Sequence, residues 1–219
     1  MSESEIEKLR RELGPRLVRE QQVVPRTGVA TGWGKLDGFL SWGGFPKSAV
    51  SLLVSETGGA TSLWERSAAI VTKENQWVAW INGPQSWLTP WSLRHHGVDL
   101  SHLLSVSPPT NEKQLLWMMQ ELMSLSLFEM IGCDLGPLRL REHHILKLKK
   151  LATRYQTALV LFSPTLVCSS FYSLILHFHG RDVIVRRALH RPTPHIFERR
   201  DLYADTLPLL AAGRRALCG

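Results

Sequence analysis

The chain has 219 residues, 44% of them hydrophobic and 21% charged, with a formal net charge of +7. That length and composition fit one well-buried globular domain and exclude a disordered chain. No run of about 18 apolar residues occurs, since the longest candidate, 115–131, is broken by Gln120, Glu121 and Glu129, and Met1-Ser2-Glu3-Ser4-Glu5 lacks the basic start and apolar core of a signal peptide.

A cytoplasmic protein is therefore expected. Cys133, Cys168 and Cys218 are odd in number and without paired spacing, which argues against a disulfide framework or a zinc site. The charge is uneven. Residues 139–200 carry twelve Lys and Arg against Glu142, Asp182 and Glu198, a surplus of nine, so the remaining residues sum to −2. A basic half of this kind suits an anionic partner, nucleic acid first, with a solvated helix face as the plain alternative.

In chain order, Ser4-Glu5-Ile6-Glu7 reads as a capping box that opens a helix, with Ile6, Leu9 and Leu13 on one side. Gly14-Pro15 ends or kinks it, and Leu17 extends the apolar stripe if the helix resumes. A polar link, 21–26, follows, so residues 1–26 read as an amphipathic helix and linker whose stripe, Ile6, Leu9, Leu13 and Leu17, is a candidate partner-binding surface, with packing on the chain's own domain as the alternative.

The next feature has the form of a phosphate-binding loop. An apolar strand over 49–54 runs through Ser55-Glu56-Thr57-Gly58-Gly59-Ala60-Thr61-Ser62 into a helix. Such a turn cradles phosphates with backbone N–H groups and a helix N-terminus, and a lysine reaches the outer phosphates. Here Ala60 stands at the lysine position and Val54 at that of the first glycine.

Beyond residue 31 the pattern alternates between strand and helix, which predicts a mostly parallel α/β sheet with helices on both faces. Strands are expected at 49–54, 77–82, 103–106, 127–133 and 158–163, and helices at about 62–74, 88–96, 111–124 and 139–155. Residues 171–179 and 182–189, joined at His179-Gly180-Arg181, read as an antiparallel hairpin closing one sheet edge. Pro192 and Pro194 break the pattern, and 201–219 reads as a tail with a short apolar segment. The organisation is a helical arm (1–26), a core (27–200) and a tail (201–219).

Four of the tryptophans, Trp77, Trp80, Trp87 and Trp91, cluster around one strand. The first two suit core packing; for the last two, in a loop or helix start, exposed anchors are the alternative to a packed role. His177 with His179 and His143 with His144 form pairs without a third ligand at recognisable spacing, so no metal site is expected. On the basic half, Lys147, Lys149, Lys150 and Arg154 mark the polar side of one helix, and Arg186, Arg187 and Arg191 come from the hairpin and beyond. These are the candidate DNA-binding residues, contacting phosphate without sequence preference.

Taken in order, several segments resemble the RecA recombinase core over residues 27–200. Thr31-Gly32-Trp33-Gly34-Lys35-Leu36-Asp37-Gly38 with Gly43-Gly44-Phe45-Pro46-Lys47-Ser48 resembles the entry to its P-loop strand, where the final position is glycine. Trp80-Ile81-Asn82-Gly83-Pro84 falls at the strand that ends in the catalytic glutamate, Gly97-Val98-Asp99-Leu100 matches a Gly-Val-Asp segment, and Phe128 to Asp134 resembles a Walker B strand. Gly58, Gly59, Ala60 and Thr61 would then be a degenerate P-loop, and Pro84 or Gln85 stands near the glutamate that polarises the attacking water. Losing lysine and base together implies negligible hydrolysis and no retained cofactor. Thr61 and Asp134 could hold magnesium, but the simpler reading is that Thr61 caps a helix and Asp134 satisfies nearby backbone.

The connections at 135–138 and 163–170 are short where RecA has DNA-holding loops. A degenerate P-loop, short loops and a basic C-terminal part together resemble the ImuA family, RecA-like accessory proteins of SOS-induced translesion synthesis and mutagenesis. That resemblance implies no enzymatic activity, with ImuB and RecA as partners and, through ImuB, an error-prone DNA polymerase. The related SulA cell-division inhibitors, which bind FtsZ, and a residual nucleotide-binding RecA paralogue are the alternatives.

Overall fold

A computed structural model of the chain describes residues 27–55, 59–84, 88–167, 170–189 and 193–199. The arm with Ile6, Leu9, Leu13 and Leu17, the tail 201–219, and Gly58, Gln85, Trp87 and Arg191 lie outside the described residues.

The strands are β1 (Gly28–Val29), β2 (Phe45–Pro46), β3 (Ala49–Ser55), β4 (Trp77–Ile81), β5 (Leu103–Val106), β6 (Phe128–Asp134), β7 (Ala158–Ser163), β8 (Leu174–His179), β9 (Asp182–Ala188) and β10 (His195–Glu198). The helices are α1 (Gly34–Phe39), α2 (Ala60–Lys73), α3 (Pro90–His95), α4 (Glu112–Ser124) and α5 (Glu142–Tyr155), with a 3-10 turn at Leu100–His102. Eight strands make one sheet in the order β10-β9-β8-β3-β7-β6-β4-β5. From β8 to β5 the neighbours run parallel, and β9 and β10 are antiparallel additions. The fold is thus α/β with a mostly parallel sheet and a C-terminal hairpin, in keeping with a RecA-like core.

The central strands are apolar on both sides because both faces are covered. β7 is buried along its whole length, and β3 is buried at all but its last residue. One face packs Leu63, Trp64 and Ala68 of α2 against Leu53, Trp80, Val160 and Leu176. The other packs Leu115, Met119 and Leu122 of α4 with Ile145, Leu148 and Ala152 of α5 against Leu52, Ile81, Ile131 and Leu161. Burying each such side chain contributes roughly 1.5–3 kcal/mol. On the first face the rings of Trp64 and Trp80 lie 4.7 Å apart, and Trp80 meets Phe162 at 5.0 Å. Gly132 of β6 makes room for this pair, since a β-carbon there would collide with Trp80 and approach Trp64 Nε1 to 2.6 Å.

The hairpin β8–β9 lies on one edge side of the sheet, as expected, and one further strand, β10, pairs beyond β9 with Phe197 opposite Val183. Pro194, one of the prolines read as breakers, directly precedes this strand, where its missing N–H costs no ladder bond. Residues 28–46 also form regular structure. β1 and β2 pair antiparallel around α1, so the entry segment forms its own small sheet against the first face.

Candidate functional site

The entry segment works as a brace. Thr31 donates from its backbone N and Oγ1 to Asp37 Oδ1, at 3.0 and 2.7 Å, and Trp33 N donates to Thr31 Oγ1 at 3.1 Å. Burial pushes the Asp37 carboxyl above its usual 3.8, while the Thr31 bonds and the Arg66 guanidinium pull it back. Arg66 in turn bonds the Gly32 carbonyl, fastening the segment to α2. At the far end Lys47 pairs with Glu129, and Ser48 takes a left-handed φ of 63° at the position where the RecA pattern has glycine. Ser48 N donates to the Thr157 carbonyl at 3.2 Å, which fixes the start of β3 beside β7.

β3 delivers the chain to the loop. The N-cap of α2 is Gly59 at φ 96°, so the capping expected of Thr61, one position inside the helix, falls to a residue without a side chain. Ala60, 2% exposed, places only a methyl group at the lysine position. A cation stands nearby all the same. The Arg199 guanidinium, following β10, lies against Gly59 where a β-carbon would collide with it, and its Nη1 donates to the Gly180 carbonyl at 3.3 Å. Sequence reading counted Arg199 only within the basic half. Its placement depends on β10 pairing at the edge, for which local pattern gave no sign.

The two acidic positions of the resemblance sit on adjacent strands. Asp134, at the end of β6, accepts from Gly136 N at 2.8 Å, which agrees with the expectation that it satisfies nearby backbone. Its carboxylate also lies 2.7 Å from the site of a β-carbon on Gly83. After β4, Asn82 turns its Nδ2 to Ser105 Oγ at 3.0 Å and to the Val106 carbonyl at 2.8 Å. That amide therefore ties β4 to β5. Pro84 follows it, exposed and without an acid–base group.

Next to the loop, a buried carboxylate organises α3. Glu65 of α2 is 3% exposed. Ser92 Oγ donates to its Oε1 and Oε2 at 3.0 and 3.1 Å, and His96 Nδ1 lies 2.9 Å from Oε2. The bond from Glu65 raises the His96 pKa above 6.5, burial opposing it. Thr89 caps α3 by accepting from Ser92 N at 3.2 Å, with Pro90 at the first helical position. The outer side of α3 carries Trp91, 77% exposed, stacked on His95 with 5.5 Å between centroids and 9° between planes. Trp91 is thus an exposed aromatic and Trp80 a core residue, while Trp77, expected in the core, is half-buried against His102.

The described candidate DNA-binding residues, those of α5 and β9, fall on one side of the sheet. Lys147, Lys150 and Arg154 are exposed on α5, and Lys149 is half-buried. Arg187 pairs across from Ile175, whose side chain belongs to the α4 and α5 face, and Arg186 is the extra residue where the register shifts. Its Nη2 lies 3.4 Å from His177 Nδ1. His143 and His144 adjoin on α5, and His144 pairs with Glu112 of α4 at 2.8 Å. Among the described residues no three His, Cys, Asp or Glu are placed to hold a metal ion. No helix among them is long and apolar enough to cross a membrane.

A scan against known protein families matches none to this chain, and a search of curated proteins finds no match. Its class rests on the fold itself, an α/β domain in which the strand bearing the loop and the strand bearing Asp134 flank β7.

Proposed function

We propose that this chain is a catalytically silent RecA-like adaptor in damage-induced translesion DNA synthesis, of the ImuA kind. It would bridge an ImuB-type polymerase-like protein and RecA, and through the former an error-prone DNA polymerase. The observation that carries the reading is what stands at three positions where nucleotide chemistry would be done. Ala60 offers no charge, Pro84 has no acid–base group, and Asp134 accepts from Gly136 N. Phosphoryl transfer needs a cation on the outer phosphates and a group that orients the nucleophile. A core that retains its scaffold without the loop lysine, and with no acid–base group at Pro84, is suited to holding partners. The basic side formed by α5 and β9 supports a weak, sequence-independent contact with DNA in the same role.

The test is ATP hydrolysis by the purified full-length protein with and without single-stranded DNA. Turnover equal to a buffer control is expected, and Ala60→Lys alone should restore none, because it supplies no base. DNA-stimulated turnover of roughly 1 per second or faster would overturn the silent-core reading.

A further inference from the structure

The Trp91 surface of α3 has no part in the adaptor reading, and it lies on the opposite side of the sheet from the basic helix. Leu93 packs α3 into the first face, whereas α5 packs on the second. We propose that Trp91, His95 and Arg94 form a stacking site for an unpaired base of single-stranded nucleic acid.

Three observations converge on it. First, the helix is too short to be stable alone, yet it is fixed on every side that is not exposed. Leu93 is buried beneath it, Thr89 caps it, and Ser92 and His96 both bond the buried Glu65. A side chain on such a platform is presented at little ordering cost, which is what a binding aromatic needs. Second, Trp91, Arg94 and His95 are related by three- and four-residue spacing and share the exposed side. The near-parallel Trp91 and His95 rings leave most of the indole open, and an open indole stacks bases while an exposed arginine three residues on is within reach of an adjoining phosphate.

Third, the charge around it fits a polyanion. No Asp or Glu occurs between Glu74 and Asp99, a stretch that holds Arg94, His95, His96 and four of the chain's eight tryptophans. The carboxylate that touches α3, Glu65, is buried and engaged. The Lys73 ammonium lies 3.6 Å from the site of a β-carbon on Gly97, just beyond the helix. A protein hot spot would set Trp91 among apolar neighbours that exclude water. Here its exposed neighbours on the helix are Pro90, Arg94 and His95. Those features favour nucleic acid over protein as the occupant.

The experiment is fluorescence anisotropy of the full-length protein with a labelled oligothymidylate, an oligouridylate of equal length and a duplex, at several salt concentrations. Trp91→Ala should weaken binding to either single strand about ten-fold, with Trp91→Phe retaining most of the affinity. The salt dependence of Trp91→Ala should match wild type, because stacking releases no counterions. Charge reversal at Lys150, Arg186 and Arg187 should instead reduce the salt dependence, which separates this site from the basic side. Circular dichroism melting of both Trp91 variants controls for folding. Wild-type affinity in Trp91→Ala would overturn the proposal. An equal loss on duplex would too, as would unchanged oligothymidylate binding with lost self-association, which would assign the surface to protein contact.

Discussion

Three residues carry tensions that can be measured. His96 is held above its ordinary pKa by Glu65, so the folded chain takes up its proton more readily than the unfolded one. Its stabilisation is complete below a pH of about 6.5 and is lost as pH rises through the higher folded value. Denaturant unfolding should accordingly show stability falling as pH rises above about 6.5, and His96→Gln should flatten that fall. A fall of equal size in His96→Gln would assign it to another group. Ser48, at φ 63°, holds a conformation that costs an L-residue about 1–2 kcal/mol. Ser48→Gly should raise the unfolding free energy by about 0.5–1 kcal/mol after the entropy of the more flexible unfolded chain is subtracted. Gly132 stands at the opposite limit. Gly132→Ala pushes a methyl group into Trp80 and Trp64 and should cost about 1–3 kcal/mol by overpacking, read from the same unfolding curves.

Among the elements, local pattern sufficed wherever burial is two-sided or periodic. The all-apolar runs of β3 and β7 and the stripe of Leu115, Met119 and Leu122 on α4 sit within a residue or two of where the sequence places them. Tertiary context decided the rest. β1 and β2 are two residues each, too short for any period to show. β10 is held by contacts from distant parts of the chain, with Phe197 against Trp33 at 5.1 Å and His195 stacked on Phe39 at 4.4 Å. The loop's missing lysine was legible in the sequence. The Arg199 guanidinium against Gly59 was not, because a strand joined at the sheet edge brings it there. The same holds for Glu65, whose partners on and beside α3 lie about thirty residues away. Phe197→Ala removes the ring that fastens β10, and a half-buried phenylalanine should cost about 1–3 kcal/mol. Hydrogen exchange should then speed at 195–198 while β7 stays protected. Unchanged exchange in β10 would mean that its ladder to β9 suffices.

For the whole molecule, the surplus of nine charges in residues 139–200 and the shared side of α5 and β9 predict how DNA is met. Affinity should drop steeply with salt and show no sequence preference. Lys150→Glu with Arg186→Glu and Arg187→Glu should weaken it and flatten the salt dependence. Equal affinity in the triple variant would show that this side serves something else.

The central claim, an adaptor built on a silent RecA-like core, is tested most directly by calorimetric titration of the full-length chain against an ImuB-type protein, RecA and FtsZ. The account predicts binding to the ImuB-type protein or RecA and none to FtsZ. It also predicts that Leu9→Asp with Leu13→Asp loses about 2–5 kcal/mol of that binding without an earlier melt. Early melting of that double variant would place the stripe in the protein's own core. Binding to FtsZ alone would contradict the adaptor account.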